Sequence, residues 1–122
     1  MIRHAPFCLV VLLAASLVSM ASAAPPRLSD GGKTRYTIVV DPEATAAEKH
    51  AAAELAAFLK QVTGADFPVK ATAEPPAGPL LLVGPGRAAR RIAPDLKLEG
   101  LKPDGIVIET VGESLLFVGD RP

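Results

Sequence analysis

The chain carries 12 prolines and 10 glycines, yet none of them falls between Ala46 and Thr63. That gap is filled with Ala, Leu, Glu and Lys, all good helix formers. Thr45 and Glu48 stand at the spacing of a capping box, in which each side chain satisfies the other's free backbone N–H. Gly64 stands where a left-handed stop belongs. The sequence therefore predicts one long helix over Ala46 to Thr63. Ala47, Ala51, Leu55, Phe58, Leu59 and Val62 recur at helical spacing and are expected to face a core. Burying each of the four large ones is worth about 1.5–3 kcal/mol gross.

Around this helix the pattern turns to strands. In Arg35 to Val40, Tyr36, Ile38 and Val40 alternate with Thr37 and Val39, and Asp41-Pro42 ends the run. Phe67 to Thr72 reads as a short second strand. Three prolines and a glycine in Ala73 to Pro79 mark a loop. Leu80 to Val83 is apolar on both faces, as a central buried strand would be. Arg87 to Ile92 fits a short helix stopped by Pro94, and Leu96 to Pro103 reads as irregular. Gly105 to Val111 and Leu115 to Gly119 are strands joined by Gly112-Glu113, the Gly-x signature of a tight type II′ hairpin. The expected fold is α/β (α+β): a small mixed sheet with one long amphipathic helix, in the order β-α-β-β-(short α)-β-β. Leu115 to Val118 is also apolar on both faces. One long helix shields one side, so an apolar patch is expected on the other.

Residues 1–23 have a different character. Arg3 and His4 precede an apolar run from Phe7 to Val18, and Ala21-Ser22-Ala23 follows as an A-x-A cleavage site. This is the layout of a secretory signal peptide, and the run is too short for a comfortable membrane span. The expectation is cleavage after Ala23, secretion or a periplasmic location, and no stable membrane anchor. Cys8, the one cysteine, leaves with the signal. Residues 24–34 read as a flexible lead-in and 35–122 as a single domain.

The charge is balanced at 13 basic and 13 acidic residues, which argues against a nucleic-acid partner. His50 is the one histidine beyond the signal and lies off the apolar stripe, where a solvated surface role is expected. Gly84-Pro85-Gly86-Arg87 sits between a strand and a helix, where a phosphate loop would sit. Pro85 removes a donor and no Gly-Lys-Ser/Thr follows, so a plain turn is the expectation. Arg87, Arg90 and Arg91 cluster on the short helix. A carboxylate site is one reading of them, and a solvated face paired with Asp95 and Glu99 is the other. Asp41, Glu43, Glu48, Glu54, Asp66, Asp104, Glu109 and Glu113 are scattered, with no two marked as a facing glycosidic pair. No catalytic, cofactor-binding or metal residue is assigned, and no cofactor is expected.

Several segments in order resemble one known domain. They are Tyr36 to Val40, Ala52 to Leu55 with Phe58-Leu59, Thr63-Gly64 leading to Phe67-Pro68-Val69, Leu82-Val83-Gly84, Asp104 to Thr110, and Gly112 leading to Leu116 to Gly119. Together they look like the N-terminal accessory domain of α-glucuronidases and related glycoside hydrolases, of the hexosaminidase N-terminal type. The resemblance implies a non-catalytic sheet domain ahead of a (β/α)8 barrel that carries the catalytic carboxylates. Its implied partners are that downstream barrel, absent here, and an oligo- or polysaccharide. Family members continue past the last strand through Arg-Gly and a covering helix, whereas this chain stops at Gly119-Asp120-Arg121-Pro122 and looks truncated. A free-standing exported glycan- or protein-binding module is the alternative.

Overall fold

The computed structural model describes residues 24–119; the signal segment expected at residues 1–23 lies outside them. The elements in chain order are β1 (Thr37–Val40), α1 (Ala46–Thr63), β2 (Val69–Ala71), β3 (Leu80–Val83), α2 (Arg87–Ile92), β4 (Ile106–Val111) and β5 (Ser114–Gly119). They form one five-stranded sheet in the order β2-β1-β3-β5-β4. β1 pairs in parallel with β2 and β3, and β3 pairs in parallel with β5. Only β4 runs antiparallel, against β5. The fold is the expected mixed α+β sheet with a C-terminal antiparallel hairpin.

Local signals explain the boundaries. The Thr45 hydroxyl accepts from the Glu48 N–H at 3.2 Å, and Glu48 Oε2 accepts from the Thr45 N–H at 2.9 Å. Gly64 adopts φ 74°, a left-handed conformation that costs glycine little, and its N–H donates to the Lys60 carbonyl at 2.9 Å. The hairpin turns through Gly112 at φ 60°, with Glu113 outside the positive region, which is the type II′ pattern. Gly31 and Gly32 turn the chain so that Asp30 and Lys33 exchange two backbone hydrogen bonds, and Leu28 packs on the core.

The sheet carries a core on each face. On one face Tyr36, Ile38, Val40, Phe67, Leu81 and Val83 pack beneath α1. On the other, Val39, Leu80, Leu82, Leu116 and Val118 pack beneath Ala88, Ala89 and Ala93. The second face is therefore covered. α2 is short but its alanines let it lie close, and Leu96 and Leu98 of the irregular segment extend the cover. The apolar patch expected on that side is instead on the α1 side. α1 packs on β1, β2 and β3, which leaves β5 half-covered and β4 bare on that face. Ile106 and Ile108 are 71% and 63% exposed there.

The helix is also rotated from its expected facing. Ala52 is fully buried, and Leu55, Ala56 and Leu59 are half-buried against the core. Phe58 and Val62 are 59% and 80% exposed. Small alanines set the contact because they let the helix backbone approach the sheet. On a helical wheel Phe58 and Val62 follow Ala47 and Ala51 down one flank, on the side of the β5–β4 half. Ala52→Leu is accordingly expected to cost about 1–3 kcal/mol by overpacking. Val62→Ser is expected to change stability by less than about 0.5 kcal/mol. Urea unfolding of the two variants checks this, and equal losses would contradict the facing described.

Candidate functional site

β1 is followed by α1 on one face of the sheet, and β3 by α2 on the other. The chain thus departs in opposite directions from two adjacent parallel strands. In open α/β sheets the crevice outside the carboxyl ends of such strands is the usual ligand site. Here it is formed by Asp41 to Glu43 after β1 and by Gly84 to Arg87 after β3.

The crevice is filled by the protein's own ion pair. Asp41 is 8% exposed. Its Oδ2 accepts from the Arg87 backbone N–H at 2.9 Å and from Arg87 Nε at 3.0 Å. Its Oδ1 accepts from Arg87 Nη2 at 2.8 Å and from the Glu43 N–H at 2.9 Å. Gly86 has no side chain for a reason: a Cβ there would lie 2.7 Å from the Asp41 Cβ. Hydrogen bonds from the Arg87 side chain, then from the backbone N–H groups of Arg87 and Glu43, hold the Asp41 carboxyl far below the usual carboxylate range. The same contact raises the Arg87 guanidinium above its ordinary value. The first N–H of α2, which a bound phosphate would need, is spent on an internal carboxylate. The Gly84 to Arg87 segment is therefore a turn locked to β1, as its sequence suggested.

The other sequence candidates disperse. Arg87 pairs with Asp41 and Glu43, and Arg91 with Glu74, so the expected partners Asp95 and Glu99 are replaced by residues on other loops. The reason is reach: Asp41 and Glu43 follow β1 and Glu74 follows β2, and the long side chains of Arg87 and Arg91 extend to them. Asp66 pairs with Lys60, and Glu113 with Arg35. His50, Glu54, Arg90, Asp104 and Glu109 are exposed. Among the described residues no group of three His, Cys, Asp or Glu side chains could hold a metal ion. No described helix is long and apolar enough to cross a membrane.

An apolar groove of about 470 Å³ lies open between the first half of α1 and the β4–β5 hairpin. Ala47, Ala51, Val83, Ile106, Ile108 and Phe117 line it. Glu48 is its one carboxylate, and it is already engaged in the helix cap. Glycosidic hydrolysis needs two carboxyl groups facing across a cleft, and this groove has one. The sequence located the apolar residues that build the groove but put the bare face on the wrong side. No protein-family model matches the chain, and no curated protein matches it in sequence.

Proposed function

We propose that this chain is a non-catalytic accessory module of an exported carbohydrate-active enzyme of the α-glucuronidase type, and that the groove is the face against which the catalytic part packs. The observation that carries the reading is the groove itself: it is apolar, open and holds one engaged carboxylate. An exposed apolar surface of this kind marks an interaction site. Gly119, the last residue of β5, lies on the groove wall. β5 therefore ends beside the surface that needs cover. The segments that carry the family resemblance fall on β1, α1, the α1–β2 connection, β3 and the hairpin.

The test is enzymatic. Purified Ala24–Pro122 is incubated with aryl glucuronides, aryl hexosaminides and xylan fragments, in a preparation free of host glycosidases. No turnover above a heat-killed control is expected. Hydrolysis of any of these substrates overturns the non-catalytic reading.

A further inference from the structure

The two edges of the sheet are built differently. β2 has three residues, follows Pro68 and carries Lys70 at its centre, and these features blunt an edge against pairing. β4 has six residues, Ile-Val-Ile-Glu-Thr-Val, with no proline and no lysine. All but Glu109 are β-branched, the residue class that best suits an extended pleated strand. Such an edge offers a row of unpaired backbone N–H and C=O groups to another strand.

We propose that β4 pairs with β4 of a second copy of this chain, antiparallel about a two-fold axis normal to the sheet, so that the two sheets become one. The strand's own sequence sets the register. Directly opposed residues share a face of the sheet, so the axis must pass through a residue and not between two. An axis at Glu109 sets two carboxylates directly opposite each other, which is destabilising. An axis at Val107 shortens the overlap within the strand. An axis at Ile108 pairs Ile106 to Thr110 along its length. Ile108 then meets its own copy, Ile106 meets Thr110, and Val107 meets Glu109, whose methylene stem lies along the apolar neighbour. The arrangement closes on itself, because the blunted β2 edge offers no second site from which a fibre would grow. The contact does not depend on the carbohydrate reading.

The purified chain is examined by sedimentation equilibrium over a wide concentration range, with folding checked by circular dichroism. A reversible dimer is expected. Ile108→Lys puts two ammonium groups opposite each other at the axis and should raise the dissociation constant about tenfold or more. Val107→Lys puts a lysine opposite Glu109 of the second copy and should leave the dimer as tight or tighter. Hydrogen exchange on the unsubstituted chain should show β4 amides that gain protection as concentration rises. A monomer at all concentrations overturns the proposal. So does a dimer that both lysine variants weaken equally, which places the contact on another surface, or one with no concentration-dependent protection in β4, which places it on the groove that Ile108 also lines.

Discussion

Replacing Leu81 by alanine is expected to destabilise the fold by about 2–5 kcal/mol, the range for a large-to-small change that leaves a cavity. Leu81 is fully buried at the middle of the central strand. It is flanked by Ile38 of β1 and Leu115 of β5 in register, with α1 above. No neighbour can collapse into the space without breaking a parallel ladder on one side. Domains of this size hold about 5–15 kcal/mol in total, so this single change removes a large share. Ile106→Ala, at a position 71% exposed, is expected to stay within about 0.5 kcal/mol. The check is the urea midpoint of each variant at constant m-value. A Leu81→Ala midpoint as mild as that of Ile106→Ala would place the core elsewhere.

The centrality of β3 was legible because four consecutive apolar residues cannot alternate and so demand cover on both faces. The hairpin was legible from Gly112, and α1 from its cap, its stop and its lack of breakers. The rotation of α1 was not. In an alanine-rich helix the apolar stripe has two flanks, and side-chain size drew the expected face toward Phe58 and Val62. Packing chose Ala52 and Ala56, because closeness to the sheet matters more than the bulk of the residue that faces it. The strand order was also hidden, since nothing local to β1 states that β3 rather than β5 lies beside it. The same limit applies to the candidate site. Gly84 to Arg87 could be placed at the carboxyl end of a strand, but the partner of Arg87 is Asp41, 46 positions away. Only the parallel pairing of β1 with β3 brings them together.

That pairing leads to the second large effect. Asp41→Asn keeps the shape of the side chain, but its amide NH2 turns toward the Arg87 N–H and Nε, which are donors too. Loss of the charge-assisted bonds is expected to cost about 1.5–3 kcal/mol at neutral pH. The figure stays below that for a fully buried pair, because the Arg87 side chain is 55% exposed and regains water when its partner is removed. The pH dependence separates this latch from a packing effect. The Asp41 carboxyl is held well below its ordinary value in the folded protein by the hydrogen bonds from Arg87. A depressed carboxylate contributes stability that is fully present above its unfolded pKa and is lost as pH falls through the folded one. The gap between the unsubstituted chain and Asp41→Asn should therefore be constant from about pH 7 to 5 and narrow progressively below about pH 4. Thermal unfolding of both proteins across that range reads the gap directly. If it stays constant down to about pH 2, Asp41 acts through shape and not through charge, and the latch is not electrostatic. Salt supplies an independent view of the same contact: the carboxylate is buried, so about 0.5 M sodium chloride should erode the gap far less than it would for an exposed pair such as Lys60–Asp66.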